Sequence, residues 1–104
     1  MSKTLNIVGL GGSVASRSKS RAALDTALSG AEAAGAATQM LDIHVLELPI
    51  YNPEVHEATT TAAELIEACY AADGLLWSSP LYQGTISGAL KNALDWLHLL
   101  GGRE

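Results

Sequence analysis

Cysteine, proline, phenylalanine and positive charge are all scarce in this 104-residue chain. It has one cysteine, three prolines, no phenylalanine and six lysines plus arginines. A lone thiol, Cys69, forms neither an internal disulfide nor a zinc site, so nothing argues for an oxidising compartment. Six cations against eleven acids leave a net charge of −5, which excludes a generally basic nucleic-acid or membrane-surface binder. No apolar run reaches the roughly 18 residues of a membrane span. Met1-Ser2-Lys3-Thr4 leads into a short apolar run and then glycines. That is the pattern of a strand rather than a secretory leader, and the expected location is cytoplasmic. His44, His56 and His98 have no ligand-like spacing, so no metal site is expected. No acid–base pair or nucleophile constellation stands out, and no residue is assigned a catalytic role.

What is present is a globular composition, 48% hydrophobic and 16% charged, at a length that allows one domain. The charge is unevenly spread. Residues 1–24 carry no acid and hold four of the six cations, three of them between Arg17 and Arg21. A basic, serine-rich segment in an acidic protein points either to a small anionic ligand or to a solvated first helical turn.

The apolar run Leu5–Leu10 reads as a buried strand ended by glycine. Gly11–Ser18 is a loop. A helix is predicted over about Lys19–Ala34, with Leu24, Ala27, Leu28 and Ala31 on one face and Gly35 as its stop. A second strand fits Ala37–Ile43, and Pro49 to Pro53 marks a loop. Thr60 or Thr61 is the expected cap of a helix reaching Ala72. Gly74–Ser78 is apolar throughout, as suits a central strand of a parallel sheet. After a loop at 79–84, a last helix is predicted from Ile86 or Ser87 to Leu100. Ile86, Leu90, Ala93, Leu94 and Leu97 recur at helical spacing along it, and Gly101-Gly102 stops it. Buried, inert Cys69 and packed Tyr70 are expected within the second of these helices. This alternation specifies an α/β domain with a parallel sheet. Three strand–helix units are fewer than the five or six strands of a nucleotide-binding doubly wound fold, so the chain reads as truncated.

Two loops carry the chemistry. Gly11-Gly12-Ser13-Val14-Ala15-Ser16-Arg17-Ser18-Lys19-Ser20 lies between a strand and a helix N-terminus. Unpaired N–H groups, hydroxyls and Arg17 there suit a phosphate, and Gly11 and Gly12 would let backbone approach it closely. The better-known motifs fail. Val14 stands where a dinucleotide fingerprint needs its third glycine, no Gly-Lys-Ser/Thr is present, and Ala15 stands where a nucleophile elbow needs glycine. The second loop, Ser78-Ser79-Pro80-Leu81-Tyr82-Gln83-Gly84, follows the third strand. With strand order 2-1-3 the two loops converge at the carboxyl ends of neighbouring strands, where open α/β sheets bind ligands. A phosphate loop beside a proline, an aromatic ring, an amide and a glycine suits a flat heterocycle with a phosphate tail.

Ser13 followed by Ser16-Arg17-Ser18, then Ser79-Pro80-Leu81-Tyr82 followed by Ser87-Gly88-Ala89-Leu90-Lys91-Asn92-Ala93-Leu94-Asp95-Trp96-Leu97, resembles the NADPH-dependent FMN reductase family. The second stretch is the more specific. The resemblance implies a flavodoxin-like three-layer sandwich, with residues 1–104 forming one partial FMN-binding domain. It implies that Ser13, Ser16, Arg17, Ser18 and Ser20 bind the FMN phosphate. It implies that Pro80, Leu81, Tyr82, Gln83 and Gly84 lie along the ribityl chain and isoalloxazine ring. Lys91 and Asp95, four apart, read as a surface pair. Trp96 and Leu100 are candidates for an interface or for the core. The implied activity is hydride transfer from NAD(P)H to flavin and then to an acceptor such as free flavin or a quinone. The implied assembly is a homodimer or homotetramer, without nucleic-acid or membrane partners. The alternatives are an FMN-binding electron carrier without NAD(P)H activity, and an inactive fragment of the reductase.

Overall fold

The first strand, β1 (Asn6–Gly11), is built of β-branched and apolar residues around glycines, and it forms the middle of a parallel sheet. A computed structural model describes residues 4–54 and 59–97 of the chain. β2 (Ala37–Asp42) and β3 (Gly74–Ser78) flank β1 on either side, giving the order 2-1-3. In register, Val8 stands beside Gln39 and Leu75, and Leu10 beside Leu41 and Trp77. Gly11 stands beside both Asp42 and Ser78, so the loops after β1 and β3 leave the sheet from neighbouring points.

Helix α1 (Lys19–Ala33) covers one face. Its Leu24 and Leu28 are buried over Gly9, where an added Cβ would come within 2.9 Å of both leucine tips. Helices α3 (Thr60–Ala71) and α4 (Gly88–Trp96) belong to the other face, preceded by a one-turn helix α2 (Ile43–Leu46). Val8, Leu10, Leu41, Leu65, Leu90 and Trp96 form the main core there. Fully burying one such side chain contributes about 1.5–3 kcal/mol. The Trp96 indole N–H donates to the Pro49 carbonyl at 2.8 Å. Asn92 accepts the Tyr51 N–H at 2.7 Å and donates to the same Pro49 carbonyl at 2.8 Å, so the proline loop is tied onto α4.

The expected alternation and strand order are present, and several details differ. β2 ends at Asp42, whose side chain caps α2 by accepting the His44 N–H, so Ile43 is helical. The cap of α3 is Thr59, since its hydroxyl accepts the Ala62 N–H; Thr60 and Thr61 are inside the helix. Ala27 is exposed, because the buried stripe of α1 is only as wide as Leu24 and Leu28. α4 starts at Gly88 with Ser87 as its cap, which leaves Ile86 outside the helix. Its expected continuation to Leu100, the glycine stop, His56 and His98 lie outside the described residues.

Among the described residues β3 stands at one end of the sheet order. Leu75 and Trp77 share the face of Val8 and Leu10 yet remain 40% and 53% exposed. Trp96, 2% exposed, is core. Cys69 is buried, and burial pushes its thiol up from the ordinary value of 9.0. Tyr70, expected to pack, is half exposed.

Candidate functional site

The loop after β1 is shaped by serines. Ser13 is buried, and its hydroxyl accepts the Ala15 N–H at 3.1 Å, closing a tight turn. Ser18 caps α1 by accepting the Arg21 N–H at 3.1 Å, and its hydroxyl pairs with that of Ser20 at 2.8 Å. The helix's own geometry leaves the N–H groups of Lys19 and Ser20 without intrahelical acceptors. Arg21 braces the loop from below. It donates to the Ser16 carbonyl at 2.9 Å and forms a half-buried ion pair with Asp42 at 3.0 Å. Arg17 makes no ion pair or hydrogen bond among the described residues, and its guanidinium is exposed.

The segment after β3 is not a plain loop. Leu81–Tyr82 (β4) and Thr85–Ile86 (β5) form a small antiparallel hairpin. Its turn places Gln83 at φ 52° and Gly84 at φ 79°, the two left-handed positions that a tight two-residue hairpin turn demands. The two loops are bonded together at their roots. The Gly12 N–H donates to the Ser78 carbonyl at 2.7 Å, and the Ser87 hydroxyl donates to the Gly12 carbonyl. The Ser78 hydroxyl donates to the Ser20 carbonyl at 2.6 Å.

Between them lies a cleft of about 520 Å³. Ser13, Ala15, Arg17, Ser18, Lys19 and Ser20 line one wall, and Ser78, Ser79, Pro80 and Tyr82 line the other. Two cations and several hydroxyls face it, with no carboxylate in the lining. Of the residues expected at a ligand, Ser13, Arg17, Ser18, Ser20, Pro80 and Tyr82 meet here. Ser16 stays outside the lining and serves Arg21 through its carbonyl; Leu81, Gln83 and Gly84 occupy the outer part of the hairpin. Lys19, Ser78 and Ser79 belong to the two loops read from the sequence but were given no ligand role there, and they also line the cleft. The serine and cation cluster around Lys19 was the available signal.

Gly12 is also held by close packing. An added Cβ would lie 2.9 Å from Leu90 Cβ, 3.1 Å from the Ser78 carbonyl and 3.3 Å from Ser79 Cβ. It is glycine because α4 and β3 pack against it. Lys91 and Asp95 pair along the exposed side of α4, as their spacing predicts. A second cleft, about 550 Å³, lies behind the β1 loop and is walled mainly by Val14, Ile43, Leu48, Ile50 and Ala89. Its Asn92 already has partners in the proline loop, and Lys91 and Asp95 satisfy each other.

The model of the NADPH-dependent FMN reductase family matches residues 5–104. The chain belongs to this family. An NAD(P)H-dependent FMN reductase of Pseudomonas aeruginosa is 36% identical over 98 residues, covering 92% of this chain and 51% of that protein. A quinone reductase of Escherichia coli K12 is 34% identical over 59 residues, covering 54% of this chain and 31% of that protein. The solved apo form of an NADH:FMN oxidoreductase superposes with a TM-score of 0.70 at 30% identity, covering 90% of this chain and 50% of that one. The chain thus spans about half the length, or less, of the FMN reductase family relatives it resembles. Its sheet, ordered 2-1-3 with helices on both faces, is the flavodoxin-like arrangement, and open α/β sheets bind ligands at the carboxyl ends of the strands at such a switch point.

Proposed function

We propose that this chain holds FMN in the cleft between the β1 and β3 loops and serves an NAD(P)H-dependent reductase. The observation that carries this is the make-up of the cleft: two cations and a set of hydroxyls without a carboxylate, opposite Pro80 and Tyr82. A volume near 520 Å³ lies within the range of cofactor sites. Ser13, Ser18 and Ser20 supply hydroxyls to a phosphate, and the N-terminus of α1 adds N–H groups and the positive end of its dipole. Arg17, with no competing partner among the described residues, supplies a charge-assisted contact. Arg21 cannot share this duty, because Asp42 and the Ser16 carbonyl already hold it. Tyr82 and Pro80 offer apolar surface to a flat ring.

FMN held there by Ser13, Arg17, Ser18 and Ser20 would supply the redox chemistry, a hydride transfer from NAD(P)H to an acceptor such as free flavin or a quinone. The names of the Pseudomonas and Escherichia relatives favour acceptors of these two kinds. The protein's part is to bind and orient, which agrees with the absence of an acid–base pair or nucleophile in the sequence. A homodimer or homotetramer and a cytoplasmic location complete the reading; no helix among the described residues is long and apolar enough to cross a membrane.

Among the described residues no strand pairs with the outer edge of β3, and the chain spans about half of its relatives' length, which favours a second reading, an incomplete and inactive part of the reductase. An FMN titration of the 104-residue chain decides between them. Saturable quenching of flavin fluorescence with a shift of the visible band supports the cleft. Bleaching by NAD(P)H then separates a reductase from a carrier. No binding leaves the incomplete-chain reading.

A further inference from the structure

Three helices of this chain start at a hydroxyl, and the three hydroxyls are not alike. Thr59 is exposed, and its Oγ accepts the Ala62 N–H at 3.3 Å. Ser18 caps α1 and pairs locally with Ser20. Ser87 is 2% exposed, and two of its bonds leave its own helix. Its Oγ accepts the Leu90 N–H at 3.0 Å, as a cap does. The same Oγ also donates to the carbonyl of Gly12, 75 residues away in sequence, and the Ser87 N–H donates to the Ser79 hydroxyl at 2.9 Å.

We propose that Ser87 is a positioning residue, which locks the β1 loop, the β3 hairpin and the start of α4 into one body. The ligand part of this inference rests on the flavin reading above. A cap needs only an acceptor, which an ionised aspartate also provides. A hydroxyl donates and accepts at once, and both capacities are spent here. The Gly12 N–H closes the same knot from the other side, on the Ser78 carbonyl. The two walls of the cleft therefore cannot drift apart independently. A ligand gripped at its phosphate end by Ser13, Arg17 and Ser18 has its ring end fixed against Tyr82 through Ser87, although Ser87 is not in the lining itself.

The test compares Ser87→Ala with Thr59→Ala in the whole chain. Each loses a helix cap, so each lowers stability; only the first breaks the tie between the loops. By hydrogen exchange, Ser87→Ala speeds the amides of 12–18 and 79–86 about tenfold more than Thr59→Ala does. With ligand, wild type and Thr59→Ala keep the same preference for FMN over riboflavin, whereas in Ser87→Ala that preference shrinks about tenfold. Equal loop exchange in the two variants overturns the proposal, and so does an unchanged preference in Ser87→Ala. If the wild-type chain takes up no FMN, the flavin reading falls, and the exchange contrast alone decides the lock. If Ser87→Ala does not fold, Ser79→Ala removes the acceptor of the Ser87 N–H and leaves the cap in place. Loosening of 79–86 beyond the Thr59→Ala level is then the supporting result, and its absence the overturning one.

Discussion

Replacing glycine by alanine should have opposite effects at two positions in this chain. At Gly12 the new methyl would sit 2.9 Å from Leu90 Cβ and 3.1 Å from the Ser78 carbonyl, and neither is the free end of a flexible side chain. To make room, α4 must move off the sheet or the β1 loop must lift. Either movement stretches the Gly12–Ser78 and Ser87–Gly12 hydrogen bonds. Overpacking of this kind costs about 1–3 kcal/mol, and loss of a buried hydrogen bond adds about 1 kcal/mol. A total of about 3 kcal/mol lowers the Tm of a domain this size by roughly 12–24 °C. Gly30 lies inside α1 with no atom within 4 Å of a built Cβ, so Gly30→Ala should gain about 0.5–1 kcal/mol. At Gly9 the obstacles are the tips of Leu24 and Leu28, which can swing, and the cost should lie between the two. Urea unfolding followed by far-UV circular dichroism ranks the three variants. A Gly12→Ala chain within about 0.5 kcal/mol of wild type would refute the claim that this glycine is set by packing. It would return Gly12 to the ligand.

Three other outcomes are expected. Arg17→Ala weakens FMN about tenfold while riboflavin, which lacks the phosphate, changes less than about twofold; equal losses in a fluorescence titration remove Arg17 from the phosphate. Trp77→Lys reduces concentration-dependent self-association in sedimentation, because each Trp77 has on the order of 100 Å² to bury, about 2.5 kcal/mol before association costs. Unchanged sedimentation would clear the β3 edge of that role. Cys69 reacts slowly with thiol reagents until the chain unfolds. Its raised folded value means that protonated thiol is favoured in the native state, so its contribution is complete below the ordinary 9.0 and is lost as pH rises through the folded value. A rate of labelling in native buffer equal to that in denaturant would contradict its burial.

The large features of the fold were legible because each has a period or a punctuation mark. Apolar runs bounded by Gly11 and Ser78, and a helix stop at Gly35, reveal the alternation of strands and helices, while the 2-1-3 order came only with the family resemblance. What stayed hidden is smaller or non-local. α2 is one turn long, too short for any periodicity. The hairpin at 81–86 has two-residue strands, and Gln83 stands at a left-handed position that asparagine usually advertises. An apolar five-residue strand reads alike in the middle and at the edge of a sheet, so the exposure of Trp77 was invisible. The cleft was foreseen as two converging loops, but not which members of each face inward. Ser16 and Ser18 look equivalent in sequence, and only the bracing by Arg21 separates them. Ser87 read only as a possible start of the last helix, because its partner Gly12 is distant in the chain.

The sheet register also sets an order in time. β1 meets β2 across a short connection, Asn6 beside Ala37, and α1 between them already buries Leu24 and Leu28 on the strand. β1 meets β3 across more than twice that length, Ile7 beside Gly74, and each doubling of a loop adds about 0.6 kcal/mol of closure entropy. The difference is modest, so local contacts in the β1–α1–β2 unit decide which part forms first. Mutations at Leu24 or Leu28 should therefore slow folding, while mutations at Leu90 or Ser87 should mainly speed unfolding. The knot that closes the cleft would then be tied late and loosened early. The cleft becomes the kinetically weakest seam of the molecule, and a ligand that bridges the two loops would slow unfolding by up to the full factor by which it stabilises the native state.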